Sequence, residues 1–375
     1  MGRRIPAEVF PPGEFIRDEL EARDWTQSDL AEILGRPFRL VNEIIAAKRA
    51  ITPETAEGLG EAFGTTAQFW MNLETSYRLS LVEKIGPDVA LRARLYEKTP
   101  IKEMTRRGWI DSTDDVGKLE IQVLNFLEIA SLELEPEITA AARKSTSYSR
   151  WTPQQTAWLC RAKQLARMLD VAPFDRAKFE SALPKLRKFI ADDSLISHVP
   201  GFLAELGVRL VVVEPLSKTR VDGAVLWLDD ASPVVALSLR FDRIDGFWHT
   251  LAHELGHIKH GDGMRLDDDL LSEESDDDKA ERPDIERRAD EFAGELLLPQ
   301  QELNSFISRT RPYYSKTRIN QFANLVKVHP GIIVGQHQRR QEIKYSQNRE
   351  MLVKIRDRLL EFVLSDGWGS APISP

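Results

Sequence analysis

His253, Glu254 and His257 lie together in the apolar run FWHTLAHELGHIKHGD, which spans residues 247–262. Residues four apart share one face of a helix, so the two imidazoles can converge on one metal ion. Imidazole nitrogens bind Zn²⁺ at about 2.0–2.1 Å. Glu254 directly follows the first histidine, where a carboxylate can hold and deprotonate a zinc-bound water. The pattern predicts one zinc ion per chain, with His253 and His257 as ligands and Glu254 as general base.

The alternative is a buried helix that carries two histidines by coincidence. With seven histidines in the chain, chance would give this spacing in roughly one such sequence in a hundred. The apolar flanks argue against coincidence, because burying polar and charged groups without partners costs free energy. Gly256 weakens the helix, which is tolerable where something must approach its backbone closely.

A third protein ligand is expected on a second helix, in the segment ERRADEFAGELLLP. Glu286 and Asp290 are four residues apart and share a face of this helix. Glu286 is the predicted ligand, and Asp290 would accept a hydrogen bond from the far nitrogen of a ligating histidine. Three protein ligands leave a position for water, whereas a structural zinc site would have four.

Other histidines receive lesser roles. His260 cannot extend the motif to HExxHxxGxxH, because Gly263 stands where that pattern has its third histidine, so we expect His260 to pack or to support a ligand. His249 is expected to be structural. His329, in VHPGIIVGQ, is a candidate to enter the cleft and stabilise a tetrahedral oxyanion or contact substrate. Cys160 has no readable catalytic partners.

A second kind of chemistry is indicated near the N-terminus, in WTQSDLAEILGRPFRLVNEIIAAKRA. Thr26 is placed to cap a first helix, Gly35 to form a turn, and a second helix begins near Pro37. The outward face of this pair carries side chains suited to base edges and phosphates. The predicted DNA-binding residues are Gln27, Ser28, Arg36, Arg39, Asn42, Lys48 and Arg49.

From composition alone, this region could equally be a plain helical bundle with a solvated face. Residues 1–80 hold nine Lys/Arg against thirteen Asp/Glu. The basic residues cluster around the second helix, which favours DNA.

The whole chain has 375 residues and a formal charge of -8, which excludes a basic coat over all its surface. One cysteine cannot form an internal disulfide, no secretory leader is readable, and no stretch approaches the roughly 18 apolar residues of a membrane span. We therefore expect a soluble, cytoplasmic protein without a membrane partner.

The fold class expected is multidomain. It combines an all-α helix-turn-helix domain, a helical middle and an α+β zincin-like domain with a small antiparallel or mixed sheet. Its strands lie in GVRLVVVEPL, GAVLWLDD and PVVALSLRF, with turns at Asp222-Gly223 and Ala231-Ser232-Pro233. Helices return over Phe247–His260 and Pro283–Leu298, and the acidic run 267–284 reads as a solvated loop. The predicted boundaries are 1–80, 81–190, 191–345 and 346–375, the last a C-terminal helix and tail.

Two resemblances add to these patterns. The two zinc motifs, with the chain from about Gly207 to 336, resemble the ImmA/IrrE zinc metallopeptidases, which cut DNA-binding repressors. That resemblance implies the same three ligands and the same base. The segment from PPGEFIRDEL to NLETSYRL is similar to HigA-type antitoxins of the Cro/repressor class, which implies operator DNA as a partner and a homodimer. Pro37-Phe38 replaces the Ser/Thr residues that are commoner in the recognition helix.

The leading hypothesis is a DNA-binding regulator fused to a zinc endopeptidase whose substrate is a repressor-like protein or this chain's own linker. One alternative is an antitoxin or repressor whose zinc domain senses a signal without proteolysis. Another is a module that sequesters a toxin partner around a structural zinc. Glu254 and the count of three ligands favour the enzyme.

Overall fold

The computed structural model describes residues 9–81, 88–138, 151–263, 265–268 and 284–369. The chain divides into two compact units, Met1–Val89 and Ala90–Pro375. No helix within the described residues combines the length and apolar character that a membrane crossing requires.

The described residues of the first unit form five short helices around an apolar core of their own, which confirms the all-α helix-turn-helix domain predicted for this region. Thr26 caps the second helix in a reciprocal capping box with Asp29. Gly35 turns the chain at φ 58°, a conformation that glycine adopts without strain. The helices are α1 (Pro12–Ala22), α2 (Gln27–Ile33), α3 (Phe38–Ile45), α4 (Pro53–Phe63) and α5 (Ala67–Leu81).

The second unit is built on a mixed sheet, as predicted. Its strands are β1 (Arg209–Val213), β2 (Val221–Trp227), β3 (Pro233–Leu237), β4 (Arg265–Asp268) and β5 (Leu364–Asp366). Their order is β4-β2-β3-β1-β5. β1 runs parallel to β3 and β5, while β2 runs antiparallel to β3 and β4.

Helices surround this sheet and fill most of the second unit. Those before the sheet are α6 (Asp88–Lys98), α7 (Ile101–Arg106), α8 (Val116–Leu127), α9 (Pro153–Arg167), α10 (Arg176–Ala182), α11 (Arg187–Ala191) and α12 (Val199–Glu205). Those that follow β3 are α13 (Ile244–His260), α14 (Asp284–Leu297), α15 (Gln300–Thr310), α16 (Lys316–Val326), α17 (Pro330–Arg339) and α18 (Arg356–Leu360). Short 3₁₀ turns lie at Leu183–Leu186, Asp193–His198 and Arg349–Met351.

Both faces of the sheet are buried, because successive residues of a strand point to opposite sides. In β1, Leu210 and Val212 join the core that contains α13, whereas Val211 and Val213 join the core that contains α6 to α9. Trp158 of α9 also donates its indole N–H to the Val213 carbonyl at 3.0 Å. A sheet that is apolar on both faces needs a helical layer on each.

The structure draws the domain boundaries differently from the prediction. Residues 81–190 were expected to form a separate connecting region, and 346–375 a C-terminal helix and tail. Instead, the described residues from Ala90 onward belong to one compact unit with the sheet. Helices α6 to α9 cover one sheet face, so they cannot be removed without exposing its apolar side chains.

The C-terminal helix predicted within 346–375 is much shorter than its region and is followed by a strand. Among the described residues of this region only Arg356–Leu360 is α-helical, and Leu364–Asp366 forms strand β5. Val211 of β1 pairs with Leu364, so the last strand satisfies backbone groups at an otherwise unpaired edge of β1. The predicted acidic loop begins within β4, and its residues 269–283 lie outside the described part of the chain.

Candidate functional site

The candidate metal-binding motif lies on the buried side of α13. His253, Glu254 and His257 are fully buried. The helix ends at His260, and the φ of 70° at Gly261, which follows as its C-cap, turns the chain back toward the preceding helical turn. Backbone N–H groups at this end donate to the carbonyls of His257 and Ile258, which fixes the last turn of the helix and the second motif histidine with it.

The three predicted metal ligands, His253, His257 and Glu286, meet at one point and are called the three-donor group below. His253 Nε2 lies 3.1 Å from His257 Nε2 and 3.3 Å from Glu286 Oε2. His257 Nε2 lies 3.5 Å from that same carboxylate oxygen. Among the described residues these three side chains form a group that could hold one metal ion.

The chemistry of these donors fits a cation. Each histidine turns Nδ1 toward a carboxylate, which only accepts hydrogen bonds, so Nδ1 carries the proton and Nε2 presents a lone pair. Two lone pairs and a carboxylate this close together repel one another unless a positive charge lies among them. Tetrahedral zinc with bonds of about 2.0–2.1 Å holds its ligand atoms roughly 3.3 Å apart, which the three distances match.

Each histidine has its own carboxylate partner. His253 Nδ1 lies 2.8 Å from Asp290 Oδ1, where the spacing placed Asp290. His257 Nδ1 lies 2.9 Å from Asp262 Oδ2, a partner that the sequence reasoning missed. Such contacts fix the tautomer and orientation of a ligating ring and increase its basicity. An aspartate directly after the glycine that ends the helix was the available signal, because the αL turn returns the chain to the last ligand.

Close packing between α13 and α14 brings Glu286 to the histidines. A Cβ at Gly256 would lie 3.2 Å from Ala289 Cα and 3.0 Å from the Phe292 ring. The glycine therefore permits a backbone approach that a larger residue would obstruct, as its place inside an apolar helix suggested. Ala289 lies between Glu286 and Asp290 on the facing helix, so the approach positions both carboxylates.

Glu254 lies against the sheet. A Cβ at Gly223 would be only 2.2 Å from Glu254 Oε1 and 2.6 Å from Thr250 Cγ2. Asp222-Gly223 was predicted to be a turn, but both residues lie within β2, where a register shift against β4 falls between Val221 and Gly223. Glycine inside a strand often marks an irregularity or a close approach, and here it leaves room for the glutamate carboxylate.

The other histidines do not join the donor group. His329 caps α17 by accepting the Gly331 N–H on Nδ1 at 3.1 Å. Gly331 packs on Ile244, nine residues before His253, which corresponds to about 13 Å along the helix. The structure therefore does not bring His329 to the cleft position predicted for an oxyanion or substrate contact.

Two neighbours of the motif have packing positions. His260 is exposed, with its ring centroid 6.4 Å from that of Phe292. His249 is buried, and its Nε2 lies 3.9 Å from Asp290 Oδ1. Neither ring belongs to the three-donor group.

We expect Asp262→Asn and Asp290→Asn each to weaken zinc binding about 10- to 100-fold, because each removes the carboxylate behind one ligand. Competition against a fluorescent chelator measures the affinity. Asp284→Asn is the matched control, since Asp284 is an exposed aspartate on the same helix as Asp290 and pairs with Arg287. If Asp262→Asn and Asp290→Asn both bind zinc as tightly as the control, the two aspartates do not support the ligands.

The predicted DNA-facing helix is α3, which buries Val41, Ile44 and Ile45 against its own unit. Pro37 precedes the helix as its N-cap. Gln27 is partly exposed. The remaining predicted contact residues all lie at exposed positions: Ser28, Arg36, Arg39, Asn42, Lys48 and Arg49.

Several of these side chains already have partners. Asn42 donates to Gln27 Oε1 at 3.1 Å and so ties α3 to α2. Glu43 accepts from Arg39 at 2.7 Å and from Arg49 at 3.3 Å. The hydrogen bond from Arg39 is the main cause that lowers the pKa of the Glu43 carboxyl. Sequence reasoning overlooked Glu43, although its position four residues after Arg39 is typical of an ion pair on a helix.

Comparison with known proteins supports both halves of this description. Residues 204–334 match the peptidase M78 family, described as the IrrE N-terminal-like domain, and residues 16–70 match the helix-turn-helix family. Virulence-associated protein I of Dichelobacter nodosus is 38% identical over 74 residues, covering 20% of this chain and 68% of that protein. An HTH-type transcriptional regulator of Haemophilus influenzae is 38% identical over 76 residues, covering 20% of this chain and 68% of the relative.

Solved structures also match the N-terminal part. The Pseudomonas aeruginosa antitoxin HigA, solved with the higBA promoter, is 40% identical over 20% of this chain and 80% of that chain, with a TM-score of 0.19.

The chain therefore belongs to the helix-turn-helix family through residues 16–70 and joins this regulator- or antitoxin-like domain to a peptidase M78 domain. The second domain is of the metallopeptidase class, and members of its family generally depend on zinc.

Proposed function

We propose that this protein is a DNA-binding transcriptional regulator with a zinc-dependent endopeptidase domain that cleaves a repressor or another regulatory protein. The observation that carries the proposal is the convergence of His253, His257 and Glu286 within 3.5 Å, with an aspartate behind each histidine. Three protein ligands suit a catalytic site, which keeps a position open for water or substrate.

The residues have separate roles in the proposed hydrolysis. His253, His257 and Glu286 would hold one zinc ion, whose charge polarises a carbonyl or water when it is bound. Glu254 accepts a proton from the attacking water while the water oxygen forms a bond to the carbonyl carbon of the substrate. The same carboxyl then returns the proton to the amine as the C–N bond breaks.

The burial of Glu254 supports its role as the base. Its carboxylate lies between α13 and β2, in the space that Gly223 leaves open. A carboxylate shielded from bulk water and held by packing is oriented before the substrate arrives, which lowers the cost of organising the reaction.

For the N-terminal unit we propose operator DNA as the partner and a homodimer as the binding species. Arg39 and Asn42 are of the types that bind guanine and adenine edges, and Lys48 and Arg49 suit phosphates. The match to the helix-turn-helix family supports α3 as the helix that enters the major groove. A toxin partner and a cytoplasmic location belong to the same proposal.

Incubation of the zinc-loaded chain with repressors from the same genome tests the substrate class. We expect cleavage of at least one repressor at a defined bond by the wild-type chain and intact repressor with Glu254→Gln. Repressors left whole by the wild type would reject this substrate class, and equal cleavage by both chains would reject the assigned base.

We expect Arg39→Ala to weaken binding to DNA from the chain's own promoter by about 5- to 150-fold, the range for loss of one bidentate base contact. Fluorescence anisotropy at fixed salt measures this. Arg94→Ala removes an arginine that is also ion-paired at the surface, with Glu133, and is the matched control. Unchanged affinity in Arg39→Ala would show that α3 does not use this residue on DNA.

A further inference from the structure

An exposed aromatic residue begins the proposed recognition helix. Phe38 is the first residue of α3, and 51% of its surface is exposed. Asn42 lies four residues later, so both side chains lie along one flank of the helix. Arg36 and Arg39, also exposed, are its near neighbours in the chain.

The polar neighbours of Phe38 are engaged within the unit. Arg39 donates to Glu43, and Asn42 donates to Gln27. Each must exchange a hydrogen bond to reach a base edge, whereas an apolar contact through the Phe38 ring requires no such exchange.

We propose that Phe38 recognises the 5-methyl group of a thymine in the major groove, an inference that rests on the proposed DNA binding. The N-terminal residues of a recognition helix face base edges. The thymine methyl is the apolar group that base pairs present in that groove, and phenylalanine is among the side chains that contact it.

The residues near Phe38 in the chain suit a DNA-binding surface. Arg36 lies two residues before Phe38 and Arg39 directly follows it, and both are exposed. Arginine side chains neutralise phosphates and bind guanine edges. The match of residues 16–70 to the helix-turn-helix family, in which the second helix of the motif enters the major groove, favours DNA over a protein surface as the occupant.

The test uses the full chain and a duplex selected from a random pool by its binding to the wild type. Each thymine of this duplex is replaced in turn by deoxyuridine, which removes only the methyl group. We expect one or more positions at which the wild type loses about fourfold in affinity, as expected for one buried methyl. Phe38→Ala should bind the thymine and deoxyuridine duplexes equally, and Phe38→Leu should retain part of the preference.

Phe362→Ala is the matched control, because Phe362 is 52% exposed and lies in the second unit; it should keep the wild-type preference. A preference for thymine over deoxyuridine that persists in Phe38→Ala, or that is absent in the wild type, would overturn the proposed contact between Phe38 and a thymine methyl. Loss of self-association in Phe38→Ala, with the methyl preference unchanged, would assign the ring to a protein contact instead. A pool that yields no bound duplex would reject DNA binding itself and is distinguishable from both.

Discussion

Glu254→Gln should lower peptide hydrolysis about 10²- to 10⁴-fold while the chain keeps its zinc, because the amide has the shape of the carboxylate but cannot accept the proton. Glu254 lies outside the three-donor group, so the substitution leaves every proposed ligand in place. New N-termini in a proteome-derived peptide library, counted by mass spectrometry at equal zinc loading, measure the change.

A second variant tests the same residue through its surroundings. The Cβ of Gly223→Ala would need the space that Glu254 Oε1 occupies, 2.2 Å away. We expect reduced hydrolysis with normal zinc content. Cleavage by Glu254→Gln at the wild-type rate would remove Glu254 as the base, whatever the result for Gly223→Ala.

His257→Ala should abolish stoichiometric zinc binding, from about one zinc per chain to nearly none, because one of three protein ligands is lost. Metal analysis after dialysis against a weak chelator measures zinc per chain, and circular dichroism compares the fold with that of metal-free wild type. Helix α13 is a central element of the second unit, so this comparison separates loss of a ligand from loss of structure.

His260→Ala is the control for this measurement. His260 lies on the same helix only three residues later, but it is exposed and outside the donor group. It should keep one zinc. Full zinc retention in His257→Ala would reject the site, and equal loss in both variants would indicate a nonspecific effect on the helix.

The three residues proposed as zinc ligands could be found from the sequence because their spacing is local. His253 and His257 share a helical face by geometry alone, and Glu286 and Asp290 repeat that spacing. Asp262 and Gly223 were missed for different reasons. Asp262 returns to His257 only because Gly261 adopts a left-handed conformation, and Gly223 meets Glu254 across the packing of a strand on a helix.

The strands and helices near the motif could also be predicted from local sequence patterns, whereas the packing of helical layers on the sheet could not. The sequence predicted a helical middle but could not show which surface its helices, among them α8 and α9, cover. Residues 364–366 became a strand because the edge of β1 was available for pairing, more than 150 positions earlier in the sequence. The position of His329 could not be predicted for the same reason, because it depends on packing between distant segments. The packing of α17 at the start of α13 places His329 away from the three-donor group.

The zinc K-edge absorption spectrum of the purified full-length chain tests the central claim most directly. The account predicts a four-coordinate ion with only nitrogen and oxygen neighbours at about 2.0–2.2 Å and the scattering pattern of two imidazoles. A sulfur neighbour, a third imidazole, or zinc bound with the same spectrum after His253→Ala would contradict a site made by His253, His257 and Glu286.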